Sequence, residues 1–174
     1  MKLIVIDMQK ALLVEELFAL DKLTKNIAKL IERARKKRVE VIFFQHDAGE
    51  GSGFSKGDDG FELAEGFAPQ EGEKSYIKTI NSCFGNRDFS EYLESVGETE
   101  LMIVGLQTEY CIDATIKSAF EKGYRVIVPA GCNSTFDNDF LKARKAYRYY
   151  NEWIWPGSFA ECVPMSEALK LLKN

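Results

Sequence analysis

A chain of 174 residues, of which 45% are hydrophobic, is long enough to form one domain with a substantial core. Its 23 lysines and arginines stand against 27 aspartates and glutamates, and the resulting net charge of −4 argues against a nucleic-acid or anionic-membrane partner. The first residues turn polar too soon for a signal peptide, and no apolar run approaches the roughly 20 residues that span a bilayer. We therefore expect a single domain over residues 1–174, located in the cytoplasm.

Apolar runs typical of strands alternate with segments of helical periodicity along the chain. Strands are predicted at residues 3–6, 39–44, 75–78, 101–104 and 124–128, with a short edge strand at 160–163. Helices are predicted at residues 23–34, 89–96, 112–122, 136–150 and 166–173. Residues 47–60 form a loop rich in Gly, Asp and Ser, which we expect to be functional or mobile.

This alternation predicts the fold class. Near-continuous apolar strands separated by helices imply a mostly parallel sheet that is covered on both faces. The expected architecture is a three-layer αβα, Rossmann-like domain. Its central strands should be residues 3–6 and 101–104, with residues 41–45 alongside.

The cysteine and histidine content excludes one class of site. The cysteines at positions 83, 111, 132 and 162 are widely spaced, and His46 is the only histidine. No cluster with the spacing of a structural zinc site is present. We therefore expect a reduced protein with no metal and no cofactor, in which Cys83 and Cys132 are buried packing residues.

Cys111 is the most informative residue of the chain. It follows the apolar run 101–104 and a short polar elbow, and it opens a segment of helical periodicity. Helix amides and the positive end of the helix dipole favour a thiolate at such a position. The alternative is a buried structural cysteine, because a free cysteine packs like a small hydrophobic residue.

Asp7 and Lys78 also lie at the carboxyl ends of predicted strands: Asp7 follows residues 3–6, and Lys78 ends residues 75–78. Asp7 is either a partly desolvated carboxylate at the rim of the sheet or the N-cap of a following helix. Lys78 either faces this rim or extends its charge into solvent. Because the carboxyl ends of parallel strands converge on one edge, the two side chains are expected to meet Cys111 there. A carboxylate, an ammonium and a thiol in contact would form an activated nucleophile.

Several motifs carry a resemblance to a known family over nearly the whole chain. They are Leu3-Ile-Val-Ile-Asp-Met-Gln9, Val41-Ile-Phe-Phe-Gln-His-Asp47, Ile77-Lys78 with Ser82-Cys-Phe84, and Gly105-Leu-Gln-Thr-Glu-Tyr-Cys111 with Thr115 and Ala119. In this order and spacing they are quite specific. The chain resembles the isochorismatase-like cysteine hydrolases, which include nicotinamidases and N-carbamoylsarcosine amidases.

The resemblance implies a function and a set of site residues. It implies an Asp7-Lys78-Cys111 triad that cleaves an amide-like C–N bond of a small molecule through a Cys111 thioester. It also implies a cis peptide bond between Leu106 and Gln107, with the amides of Gln107 and Cys111 as an oxyanion hole. A homo-oligomer, most simply a dimer, is expected from the resemblance and from the aromatic residues of the stretch 147–155.

Two departures from the patterns of individual family members narrow the range of expected substrates. The metal-binding histidines of nicotinamidases have no counterpart, because His46 stands alone, so nicotinamide is not expected to be the substrate. Cys111 itself argues against cleavage of a vinyl ether, since isochorismatases that perform it tend to lack the cysteine. The side chain of Gln107, which replaces a small residue, either points into the pocket or caps the turn.

The remaining candidates concern substrate binding. His46, Phe54, Gln107 and Tyr110 are the predicted substrate-binding residues. For His46 the alternatives are an acid or base, a group that orients the substrate, and a hydrogen-bonded structural residue at the strand end, which is the simplest of the three. Phe54, Phe61, Trp153 and Trp155 form either an apolar pocket wall or part of the core or an interface. Two other functions compete with hydrolysis: a non-catalytic metabolite-binding protein and a thiol redox protein, which would need a resolving cysteine near Cys111.

Overall fold

A parallel β-sheet with helices on both faces forms the centre of the protein. The computed structural model describes residues 1–173. Its strands are β1 (Lys2–Ile6), β2 (Val41–His46), β3 (Lys74–Lys78), β4 (Glu100–Leu106), β5 (Arg125–Pro129), β6 (Asn133–Ser134) and β7 (Glu161–Val163). Its α-helices are α1 (Leu20–Lys36), α2 (Arg87–Ser95), α3 (Asp113–Glu121), α4 (Ala143–Arg148) and α5 (Met165–Leu171).

The strand order is β3-β2-β1-β4-β5-β7, and β6 pairs with the end of β4. Every ladder between these strands is parallel. The two predicted central strands, β1 and β4, lie side by side in the middle, and β2 flanks β1. The three-layer α/β prediction is therefore confirmed, and the predicted edge strand near residue 160 exists as β7.

Alternating side chains of the central strands supply the two halves of the core. Leu3 and Val5 of β1 pack on the face covered by α1 and α5, whereas Ile4 and Ile6 pack on the face covered by α2 and α3. Burial on both faces explains why the strands read as continuous apolar runs. Cys132 lies in the first cluster and Cys83 in the second, both without solvent exposure, as expected.

The structure differs from the prediction in three places. The predicted helix at 136–150 is wrong over its first half, because α4 begins only at Ala143 and is followed by a π-helical turn, Tyr149–Ile154. The segment after β4 is a π-helical turn, Thr108–Ile112, before α3 begins. Strand β6 was not predicted. Within residues 1–173, no helix is long and apolar enough to cross a membrane.

Candidate active site

The register of the sheet brings four strand ends together. Ile6 at the end of β1 lies opposite Gly105 of β4, and His46 at the end of β2 lies opposite Lys78 at the end of β3. Asp7 follows Ile6 directly, and its amide donates a hydrogen bond across to β2. The candidate residues therefore meet at the carboxyl edge of the sheet, where open α/β sheets bind ligands.

The side chain of Lys78 lies between Asp7 and Cys111. Its Nζ donates a hydrogen bond of 2.8 Å to Asp7 Oδ2 and one of 3.0 Å to Cys111 Sγ. The exposed fractions of the Lys78 and Asp7 side chains are 0% and 1%. Lys78 therefore does not extend into solvent, and Asp7 does not cap a helix, since α1 begins only at Leu20.

Asp7 is held in a backbone conformation that few residues adopt. Its φ angle is 53°, in the left-handed region that Asp tolerates better than most side chains. Burial raises the pKa of its carboxyl, and the Lys78 ammonium opposes this effect. Its Oδ1 atom is buried and has no hydrogen-bond partner within residues 1–173. One carboxylate oxygen is thus bonded to Lys78, and the other is available to accept a proton.

The protonation states of Lys78 and Cys111 follow from the same contacts. Burial alone would lower the pKa of Lys78, but the adjacent Asp7 carboxylate outweighs it and raises that pKa. Burial, followed by the charge of Asp7, raises the pKa of the Cys111 thiol to about 12. This direction is opposite to the effect expected of helix amides and the helix dipole. Cys111 lies in the π-helical turn before α3 and not at the first residue of that helix.

The elbow that carries Cys111 is fixed at its start by Gln107. The carbonyl of Gln107 accepts hydrogen bonds from the amides of Tyr110 and Ile112, each 3.1 Å long. Its side chain makes no capping hydrogen bond to the turn. The peptide bond between Leu106 and Gln107 is cis.

A cavity of about 230 Å³ opens above Cys111. Six of the residues proposed from the sequence line it, namely Asp7, His46, Phe54, Gln107, Tyr110 and Cys111. Lys78 lies behind this wall and not on it. The other aromatic candidates do not line the cavity: Phe61 and Trp155 are buried in the core, and Trp153 is 76% exposed on the surface.

Comparison with known proteins places this arrangement in a family. The model of the isochorismatase domain matches residues 2–153. This chain belongs to the isochorismatase family. A protein described as an uncharacterized isochorismatase family protein, YddQ of Bacillus subtilis, is 32% identical over 139 residues, which are 76% of this chain and 77% of that protein.

Two further relatives cover most of the chain. A streptothricin hydrolase of Streptomyces noursei is 29% identical over 176 residues, covering 96% of this chain and 69% of that protein. The crystal structure of an isochorismatase from Pseudomonas putida superposes with a TM-score of 0.89 at 26% identity, covering 95% of this chain and 88% of that one. As a member of the isochorismatase family, the chain is a hydrolase.

Sequence reasoning missed several residues of this candidate site. Leu12, Ala48 and Asn81 also line the cavity, and Asn81 Oδ1 lies 3.7 Å from Cys111 Sγ. Gln9 is fully buried beneath the site, where its side chain binds the backbone of His46. Gln9 ends the first motif of the resemblance, and its amide side chain next to the apolar Met8, three residues past the end of β1, is the signal that could have identified it.

A second set of buried amides supports the elbow from below. The hydroxyl of Thr108 donates to Asn133 Oδ1, over 2.8 Å. Asn133 and Asn151 exchange two hydrogen bonds between their side chains, 2.8 and 2.9 Å long. These contacts tie the π-helical turn that carries Cys111 to β6 and to the π-helical turn after α4.

One group of residues has the composition of a metal site. Asp7, His46 and Cys111 carry ligand atoms that all lie within 4.8 Å of one another. Lys78 Nζ lies among these atoms, 2.8 to 3.1 Å from each. The ammonium thus occupies the position that a cation would take, and a metal would first have to displace it. The absence of a metal stays a prediction.

A larger cavity of about 550 Å³ lies elsewhere, between Phe120 and Phe159. The charged side chains on its wall, Arg125 and Glu161, are already paired with each other. It contains none of the candidate catalytic residues. The candidate site is therefore chosen by the convergence of three reactive side chains and not by the volume of the cavity.

Proposed function

We propose that this protein hydrolyses an amide-like C–N bond of a small molecule through a thioester on Cys111. The observation that carries the proposal is the contact of one buried ammonium, that of Lys78, with both the Asp7 carboxylate and the Cys111 sulfur. Base, cation and nucleophile in mutual contact at the wall of a cavity are the parts that covalent acyl transfer needs.

The first half of the reaction consumes the amide. Because the pKa of Cys111 is about 12, the thiol keeps its proton until the substrate is attacked. Asp7 Oδ1 accepts this proton while sulfur forms a bond to the carbonyl carbon. The backbone amides of Gln107 and Cys111 are proposed to bind the resulting oxyanion. The C–N bond then breaks, and Asp7 returns the proton to the leaving nitrogen.

The second half regenerates the enzyme. Asp7, again a carboxylate, takes a proton from water, which attacks the thioester carbonyl. The C–S bond breaks, the acid product leaves, and protonated Asp7 returns a proton to the sulfur. Throughout, Lys78 keeps its positive charge and stabilises the thiolate as it forms. The two halves together convert an amide and water into an acid and an amine.

The cavity supports a small substrate. Its volume of about 230 Å³ is below the range of roughly 300–1,000 Å³ typical of sites for drug-sized ligands. Phe54 and Tyr110 offer apolar surface, whereas His46 and Gln107 offer polar groups, and these four are the proposed substrate-binding residues.

Intact-protein mass spectrometry tests the proposal. The full chain is incubated with a panel of small primary amides, ureides and anilides, quenched in acid and weighed. We expect an acyl adduct that maps to Cys111, amine release that follows the same substrates, and neither in Cys111→Ala. Cys162→Ala, at a cysteine outside the cavity, is the matched control and should retain both. Hydrolysis by Cys111→Ala, or an adduct on another residue, would contradict the mechanism.

Several sequence-based predictions accompany this function. We propose that residues 1–174 act as a single domain, that the protein works in the cytoplasm as a homodimer, and that it needs no metal or cofactor. Overnight dialysis against EDTA should therefore leave hydrolysis unchanged. Activity lost on dialysis and restored by a divalent metal would refute the last of these.

A further inference from the structure

The Lys78 ammonium has three N–H groups, and three acceptors surround it. Two are Asp7 Oδ2 and Cys111 Sγ, and the third is Nδ1 of His46, 3.1 Å from Nζ. An ammonium donates only, so an Nδ1 that takes its third hydrogen bond must carry a lone pair. A neutral imidazole meets this condition when its proton is on Nε2.

The His46 ring is held in place from two directions. The side chain of Gln9 binds both backbone groups of His46: its Oε1 accepts from the amide over 2.8 Å, and its Nε2 donates to the carbonyl over 3.1 Å. On the loop side, the ring of Phe54 stacks on the imidazole at a centroid distance of 5.9 Å and an angle of 26°. A residue engaged on its backbone and its ring face has little freedom to leave Lys78.

We propose that His46 is a positioning residue: a neutral imidazole with the proton on Nε2, whose Nδ1 accepts the third hydrogen bond of Lys78. It thereby keeps the ammonium from rotating away from Asp7 and Cys111. In this role His46 acts through Lys78 and not by contact with the reacting carbonyl. The activity arm of the proposal rests on the hydrolase function proposed above, whereas the existence of the hydrogen bond does not.

The surroundings of the ring favour the neutral form. The charged and titratable groups that face it are Lys78, Asp7, Cys111 and the neighbouring Asp47, together with the carbonyl of Ile80. Burial, and then the positive charge of Lys78, lower the pKa of His46 below its usual 6.5, and the two carboxylates oppose this only in part.

Protonation would turn the acceptor into a donor. Two cations would then face each other across 3.1 Å, and Lys78 would lose one of its three partners. Because the neutral form is the acceptor, the arrangement is present above the pKa of His46 and is lost as the pH falls through it. The positioning role therefore predicts an acid limb of activity that belongs to His46.

Nitrogen NMR tests the hydrogen bond without any substrate. His46 is the only histidine of the sequence, so in protein produced without a histidine tag all imidazole nitrogen signals belong to this residue. Couplings to the ring protons then distinguish Nδ1 from Nε2. At pH 7.5 we expect an unprotonated Nδ1 and a protonated Nε2, with a titration midpoint below 6.5. In Lys78→Met the midpoint should rise. A proton on Nδ1 in the wild type, or a spectrum unchanged by Lys78→Met, would overturn the proposal.

Kinetics test the positioning role once a substrate of the Cys111 reaction is in hand. His46→Asn keeps an acceptor oxygen near the position of Nδ1 and cannot titrate, so kcat at pH 8 should stay within about fivefold of wild type. His46→Leu removes the acceptor and should lower kcat roughly 10- to 100-fold, with KM unchanged. The acid limb of kcat/KM, which reports groups of the free enzyme, should coincide with the NMR midpoint in the wild type and move to lower pH in His46→Asn.

Each alternative has its own result. A raised KM with unchanged kcat in His46→Leu would mean that His46 binds substrate and does not position Lys78. An acid limb that does not move in His46→Asn would assign that limb to Asp7. Glu50→Gln, at an exposed position of the loop 47–60 that follows His46, is the matched control and should leave the pH profile of activity unchanged. If no amide is hydrolysed but the NMR result holds, only the proposed function fails.

Discussion

Asp7 and Lys78 form a fully buried ion pair at the centre of the site. Taking two charges out of water is costly, and their mutual attraction repays the cost only while both are present. The Asp7 backbone in the left-handed region adds to this cost. The pair is therefore better explained by chemistry at Cys111 than by a contribution to stability.

A double-mutant cycle measures this coupling. Asp7→Asn leaves the Lys78 charge buried without its counter-ion and should lower the free energy of unfolding by about 3–5 kcal/mol. Lys78→Met should cost a similar amount, because it leaves the carboxylate unpaired. The double variant contains no unpaired charge and should be more stable than either single variant in urea denaturation. Strictly additive costs would show that the two side chains do not interact.

Replacing Asp7 by Asn should make the Cys111 thiol more reactive toward alkylation while making hydrolysis slower. The negative charge of Asp7 helps to raise the pKa of the thiol, so Asp7→Asn should lower that pKa. Alkylation by iodoacetamide at pH 8, followed by peptide mapping, should then be faster at Cys111 than in the wild type. Hydrolysis should fall by about 10³-fold or more, since an amide cannot take the proton. Slower alkylation would indicate that Asp7 does not raise the thiol pKa.

At this scale the sequence predicted the charged and nucleophilic residues and Gln107, but not the amide side chains of Gln9 and Asn81. Asp7, Lys78 and Cys111 each lie at or shortly after the carboxyl end of a strand, and parallel topology brings such positions together. Asn81 lies in a loop with no periodicity, and only the fold brings it near Cys111. The direction of the Cys111 pKa shift could not be predicted from the sequence either, because it depends on how deeply the thiol is buried.

Among the elements, the contact between β1 and β4 depends on one glycine. Gly105 has a φ angle of 124°, and a Cβ atom there would lie 1.9 Å from the carbonyl oxygen of Ile6. No other residue allows the two central strands to approach so closely just before Asp7 and the elbow. This contact sets the distance between the proposed base and the nucleophile.

Gly105→Ala should therefore be far more damaging than an ordinary glycine substitution. We expect a loss of more than about 3 kcal/mol in the free energy of unfolding, because the clash is with backbone and cannot be relieved by a rotamer. Gly123→Ala is the matched control: its φ of 87° is also left-handed, but nothing lies within 4 Å of the added Cβ. Its cost should be about 1 kcal/mol. Equal losses in urea titrations would refute the argument.

The helix predicted over 136–150 shows where pattern reasoning fails. Asn138 Oδ1 accepts from the amides of Phe140 and Leu141, and Asp137 Oδ1 accepts from the amide of Ala143. Side chains that bind local amides compete with helix formation, so the helix begins only after them. Phe140, inside the predicted range, is 98% exposed and so offers no apolar face to the core. The strands were easier to predict because burial on both faces leaves a continuous apolar run.

At the scale of the whole molecule, large aromatic side chains remain on the surface. Phe140, Tyr149 and Trp153 are 98%, 50% and 76% exposed, and they lie within or just before the aromatic stretch that suggested a dimer. Aromatic residues are enriched in protein interfaces and depleted elsewhere on the surface. This composition supports the prediction of a homodimer.

Light scattering after size exclusion checks the oligomeric state. At micromolar concentration the wild type should have twice the mass of the chain, and Trp153→Glu should shift it toward the monomer without loss of helical signal in circular dichroism. Lys170→Glu, at an exposed position of α5 outside the aromatic stretch, is a control for added negative charge. A wild-type monomer under these conditions would contradict the prediction.

The loop at 47–60 is closed at its base by two glutamine side chains. Gln9 contacts the residue before the loop, His46, and the residue after it, Phe61, and Gln45 donates to the same Phe61 carbonyl. The anchors thus lie outside the loop, Gln45 on β2 and Gln9 just after β1, whereas the loop contributes Ala48 and Phe54 to the cavity. The segment is built like an exchangeable cassette. Transplanting a loop from another member of the family between these anchors should change which molecules are accepted while leaving the reactive side chains where they are.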